Sequence, residues 1–268
     1  MRCLRPALMT ALAVLVAGEA PAWPANLVQC LARDARRLVP RSLARLIAER
    51  EVQVLDEAAR FPTPLGQALA ADLQAGRLQP ETLAALDAQA VEAISLLKQQ
   101  RVTEGIVRLG ALLRVPADLS DPVLTAGPTG YPAGVTREYY AFVEGNLNKI
   151  PVVLDDPPAL KLPRRDLPDY WQRLLERSQG YSGVILTEMY QGGRVVSHTR
   201  IDYRSPVFGV ASLSYSRAVT AIAATWLAVW REARGDVTRM RPPRELLPRD
   251  APPVRAPQDP VPSPEARP

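Results

Sequence analysis

The chain has 268 residues, with 33 Lys and Arg against 28 Asp and Glu, giving a net charge of +5. Hydrophobic residues make up 47%, enough for a sizeable buried core, which excludes a wholly disordered chain. Charges of both signs are interspersed, so composition gives no specific nucleic-acid signal, and no aromatic-plus-basic run stands out.

Arg2 and Arg5 precede an apolar stretch, Ala7 to Ala17, too short to span a bilayer, and Ala20-Pro21-Ala22 has the A-x-A form of a cleavage site. Residues 1–22 therefore read as a signal peptide and the protein as exported, periplasmic or secreted. Cys3 would leave with the signal. Cys30 would remain alone, without an intramolecular disulfide, as a buried structural thiol on an apolar helical face. No transmembrane helix is expected after cleavage, since the longest uncharged run, Ala218 to Trp230, is short.

Apolar residues at Leu27, Leu31, Ala35 and Leu38 predict a first helix ended by Pro40. Ser42 opens a second, with Leu43, Leu46, Ile47, Val54 and Leu55 inward, closed by Pro62 and Pro64. A short piece over 65–73 breaks at Gly76. Pro80 and Thr82 start a long helix striped by Leu83, Leu86, Ala90, Ile94 and Leu97. Thr103 and Glu104 begin the next, expected to stop at Pro116, make a polar turn and leave on an extended apolar segment. Pro122, Gly127, Pro128, Gly130, Pro132 and Gly134 then dictate a loop.

A helix follows with Tyr139, Phe142, Val143 and Leu147, then a loop over 149–167 rich in proline. Asp166-Leu167-Pro168-Asp169 has the form of a helix start. Ile185, Met189 and Tyr190 resume the pattern until Gly192-Gly193. A last helix spans about 206–233, with Val210, Leu213, Arg217, Ala221, Thr225 and Val229 on related faces and Gly235 at its C-cap. Strand signals are scarce, so the fold class is all-α: one domain over 23–240 with seven to nine helices. Residues 241–268 hold ten prolines without apolar periodicity and read as a disordered tail.

Ordinary catalytic signatures are missing: there is no G-x-S-x-G, no phosphate-cradling glycine loop and no C-x-x-C. His198 is the only histidine and sits in a polar loop, and one histidine cannot build a His-rich zinc site. Asp118 with Asp121, and Asp155 with Asp156, could hold a hard cation through oxygens or serve as turn and cap residues.

In order along the chain, Ala22-Trp23, Leu109-Gly110-Ala111 with Arg114-Val115-Pro116-Ala117-Asp118, the exit Asp118 to Leu124, Gly134 to Tyr140, and Tyr215 to Ala223 with Trp226 form a frame. This frame resembles the zinc-dependent phospholipase C and single-strand-specific nuclease family, all-helical secreted phosphoesterases. The resemblance implies a mature chain starting with tryptophan, whose terminal amine and carbonyl bind metal. It also implies one helix presenting H-x-x-x-D, an exit resembling D-x-x-Q-P-x-H, and a later H-x-x-x-E helix. Ligands at i and i+4 share one helical face and can grip one ion.

The departures fall on the ligands. Arg114, Leu124, Thr136 and Tyr140 stand at former ligand positions, and only Asp118 and a terminal Trp23 remain as remnant metal or catalytic candidates. Arg114 and Asp118 are spaced for an ion pair. The expectation is a pseudoenzyme without cofactor, with a binding or structural role toward an envelope protein or lipid surface. The alternative is an active phosphoesterase, a hydrolase of phosphate ester bonds, using the Trp23 amine, Asp118, Asp121 and Glu138. Zinc belongs only to that alternative. An unrelated helical exported protein is the third reading.

Overall fold

The computed structural model describes residues 23–61, 63–128, 130–237 and the backbone of 246–247. The expected signal over 1–22 lies outside the described residues, as does the tail apart from that dipeptide. The ten α-helices among the described residues are α1 (Ala25–Arg36), α2 (Arg41–Glu49), α3 (Glu51–Ala59), α4 (Thr63–Ala75), α5 (Pro80–Lys98), α6 (Val102–Leu119), α7 (Val135–Asn146), α8 (Leu167–Ser178), α9 (Ser182–Met189) and α10 (Pro206–Glu232). Strands amount to two antiparallel pairs of two residues: β1 (Val152–Val153) with β4 (Leu246–Leu247), and β2 (Tyr190–Gln191) with β3 (Arg194–Val195). The class is all-α.

Helices α6 and α10 lie at the centre. Residues 109–113 and 115–119 of α6 are all buried, as are 214–230 of α10. The Trp226 indole Nε1 of α10 donates to the Leu109 carbonyl of α6 at 3.0 Å, and Trp171 of α8 donates to Thr225 Oγ1 at 3.3 Å. Each tryptophan thus buries a large apolar ring while satisfying its one polar atom. Gly110 permits the crossing of α3 on α6, because a Cβ there would overlap the Val54 carbonyl oxygen. Helix α10 is the one described helix long and apolar enough to cross a membrane, but 78% of its apolar window is buried inside the fold. It is placed as a core helix.

Several expectations change. The helix from Ser42 is two helices, broken at Arg50, whose φ of −124° and ψ of 19° are not helical. Helix α6 does not stop at Pro116 but continues to Leu119, with Ser120 N–H donating to the Pro116 carbonyl at 3.1 Å. Proline removes one backbone bond, and the fully buried surroundings keep the last turn helical. The residues after it form buried turns rather than an extended segment.

At the end of α10 the left-handed residue is Arg234 (φ 61°), not Gly235. Gly235 N–H closes the helix on the Trp230 carbonyl at 2.8 Å, the Schellman pattern one residue earlier than expected. Leu213, expected on the inward stripe, is exposed. Cys30 is half-buried and packs against the core.

Candidate functional site

The end of α6 and the turn that follows it bring three charged residues together, Arg114, Asp118 and Asp121. Arg114 Nε donates to Asp118 Oδ2 at 2.6 Å across one helical turn, as the i, i+4 spacing predicts. Asp121, fully buried, accepts from the Val123 N–H at 2.9 Å and from the Tyr140 hydroxyl of α7 at 2.6 Å. Thr125 Oγ1 donates to the Asp121 carbonyl at 2.9 Å, closing the turn. Trp23 is buried against the same turn. Its Nε1 donates to the Ala117 carbonyl at 2.9 Å, and its ring lies 6.0 Å from that of Tyr140.

Four of the six sequence-predicted positions therefore meet: Trp23, Arg114, Asp118 and Tyr140. Leu124 joins them through its backbone N–H, which hydrogen-bonds Asp121. Thr136 stands apart, half-buried, on an open groove lined also by Pro24, Gly134, Arg137, Tyr140 and Glu144. A second open groove of about 490 Å³ runs past Trp23, Asn26, Gln29, Leu55, Asp56 and Arg114 on the other side. Trp23 lines the second groove and Pro24, its neighbour in sequence, the first.

The electrostatics are unbalanced. Two buried carboxylates, Asp118 and Asp121, share one guanidinium. Burial pushes the Asp118 carboxyl upward despite Arg114, and pushes Asp121 up to about 7, with the neighbouring Asp118 charge adding to the rise. Burial opposes the charge on Arg114, but the carboxylates of Asp118 and Asp121 outweigh it and raise its pKa. Burial, reinforced by Asp121, holds the Tyr140 hydroxyl protonated well above its ordinary range. Asp118 Oδ1, Ser120 Oγ and Tyr139 Oη are buried without a hydrogen-bond partner among the described residues.

These atoms do not fit a zinc site. Asp118 Oδ2 is engaged by Arg114, the Tyr140 hydroxyl is spent on Asp121, and neither the Arg114 guanidinium nor the Leu124 side chain offers a lone pair. Among the described residues no group of three His, Cys, Asp or Glu side chains is arranged to hold a metal ion. Glu138, a candidate ligand of the oxygen-rich alternative, instead accepts from the His198 backbone N–H at 3.0 Å and pairs with His198 Nδ1 at 2.7 Å. The backbone N–H of His198, then its ring, hold the Glu138 carboxyl down at about 2. His198 is thus a contact between α7 and its loop rather than a simple exposed side chain.

Asp155 and Asp156 are likewise taken by cations. Asp155 Oδ2 receives Arg177 at 2.7 Å and Arg217 at 3.3 Å, and Asp156 receives Arg177 at 3.5 Å. Comparison with protein-family models, with curated proteins and with solved structures returned no match.

Sequence reasoning missed Tyr139 and the Ala117 carbonyl, which has no side-chain signature. It also missed a basic and aromatic cluster outside this site. Lys149 Nζ lies 4.6 Å, and the Arg204 guanidinium carbon 5.5 Å, from the ring centroid of Tyr203. Fifty-four residues separate Lys149 from Tyr203, so no local window contains the cluster.

Proposed function

We propose that this chain is a non-catalytic helical domain, exported, with a binding or structural role, built on a frame resembling the zinc-dependent phospholipase C and nuclease family. The observation that supports the reading is the direct Arg114–Asp118 bond of 2.6 Å, a fixed positive charge where the resemblance would put a metal ligand. The pair holds the last turn of α6 in register without an ion, and Asp121 with Tyr140 ties that turn to α7. What the domain contributes is then its surface.

Elemental analysis of the purified protein tests this directly. The expectation is less than stoichiometric zinc after dialysis, and tightly held stoichiometric metal would overturn it. The bare Asp118 Oδ1 favours the second reading, an oxygen-rich phosphoesterase. Phosphodiester hydrolysis abolished by Asp118→Asn would select that reading.

A further inference from the structure

We propose that the segment 190–205, together with Lys149, is a docking surface for the phosphate headgroups of an anionic membrane. This inference stands independently of the reading of the Asp118 site. It starts from charge. Most arginines of the described residues are matched by a carboxylate within 4 Å, among them arginines of α1, α2, α6, α7, α8 and α10. Arg194, Arg200 and Arg204 are not, and neither is Lys149, whose Nζ donates to Asn146 Oδ1 at 3.2 Å. Asp202 is the one acid in 190–205, and its Oδ1 accepts from the Arg204 backbone N–H at 2.8 Å rather than from a guanidinium.

Geometry concentrates these cations. Tyr203 is 42% exposed and stands edge-on to Phe208, with ring centroids 6.3 Å apart. The Lys149 ammonium and the Arg204 guanidinium both lie within cation–π reach of that ring, so two cations gather at one exposed aromatic side chain. A phosphate headgroup beside either cation would supply the carboxylate-like partner that it lacks. Arg200, exposed at the end of the 3-10 turn His198–Arg200, belongs to the same segment.

The apolar surroundings select a membrane over a nucleic acid. Three of the seven exposed large apolar side chains, Tyr190, Tyr203 and Leu213, lie in this segment or just beyond it on α10, where Leu213 shares an outer strip with Pro206 and Gly209. An exposed tyrosine beside lysine and arginine, as at Tyr203, suits a headgroup boundary. Stacking of a base, by contrast, requires a free aromatic face, and the Tyr203 ring already carries two cations.

Co-sedimentation of the full-length chain with phosphatidylcholine vesicles, alone or mixed with phosphatidylglycerol, tests the surface. Binding should require phosphatidylglycerol and weaken as salt rises. The triple variant Lys149→Gln, Arg200→Gln, Arg204→Gln should lose affinity by roughly a hundredfold. The control triple Arg41→Gln, Arg77→Gln, Arg173→Gln removes the same charge from other exposed sites and should retain it. Tyr203→Ala should weaken binding with all cations present, and Tyr203→Phe should restore it, with matched melting curves showing both variants folded.

Equal losses in the two triples would reduce the effect to net charge and overturn the proposal. So would absence of vesicle binding, or capture of a single-stranded oligonucleotide without vesicle binding.

Discussion

Two clusters in this molecule bring arginine and aspartate together inside the fold, and they are built on opposite terms. Around Arg217, two guanidiniums face two carboxylates. Arg217 Nε reaches Asp155, its Nη1 donates to the Arg177 carbonyl at 2.8 Å, and its Nη2 donates to the Tyr181 hydroxyl at 3.0 Å. Ser216 and Thr220, on the same stretch of α10, receive the backbone N–H groups of Val153 and Asp155. Around Arg114, one guanidinium faces two carboxylates, and one oxygen of Asp118 has no partner among the described residues. The first cluster fastens the 151–155 segment to the core. The second ties the end of α6 to α7 with one more buried carboxylate than the single guanidinium can balance.

The largest expected effect breaks the satisfied cluster. Arg217→Met keeps the aliphatic volume but orphans the Arg177 carbonyl and the Tyr181 hydroxyl and removes one of the two cations on Asp155. Denaturant unfolding should show a loss of about 3–5 kcal/mol.

The unbalanced cluster should respond to pH instead. The folded-state pKa of Asp121, about 7, lies above the ordinary 3.8 expected for the unfolded chain. The unfolded state therefore gives up its proton first as pH rises. The contribution of this group is full below about pH 4 and is lost progressively up to about pH 7. Asp121→Asn keeps an oxygen acceptor for the Val123 N–H, turns its amide NH2 toward the Tyr140 hydroxyl, which can accept, and removes the titration. The variant should flatten that slope and gain on the order of 2 kcal/mol relative to the parent chain at neutral pH. An unchanged slope would relocate the imbalance to Asp118.

A third, smaller effect concerns Glu138, whose pKa is depressed by His198. Its contribution is present above the ordinary carboxylate range and is lost as pH falls toward 2. Glu138→Gln should remove that acid-limb loss, with a change under about 1 kcal/mol because the contact is screened by solvent. A thermal melt at pH 3 against pH 6 would measure it.

The two clusters also differ in how legible they were. Arg114 and Asp118 sit four residues apart, so helical periodicity alone predicts their contact. Arg217 sits 62 residues from Asp155 and 36 from Tyr181, and nothing local links them. Asp155 read as a turn residue or a cation ligand because its own neighbourhood holds only Asp156 and prolines. The Asp121–Tyr140 bond was half legible: both residues fell on the expected frame, but as former ligand positions or turn residues and not as each other's partner.

By itself the sequence determined what depends on a few consecutive residues. The stripe Leu27, Leu31, Ala35 and Leu38 is fully or almost fully buried, as its spacing requires. The start of α5 at Pro80 followed from the same local chemistry, and α10 begins at Pro206 as expected, where the structure adds a cap: Ser205 Oγ accepts from the Phe208 N–H. Tertiary packing decided the rest. It carried α6 through Pro116, split the helix at Arg50, turned Leu213 outward and placed Lys149 over Tyr203. Periodicity encodes which face of a helix is apolar. Which faces meet is set by the whole core, and so are the charges left without a partner.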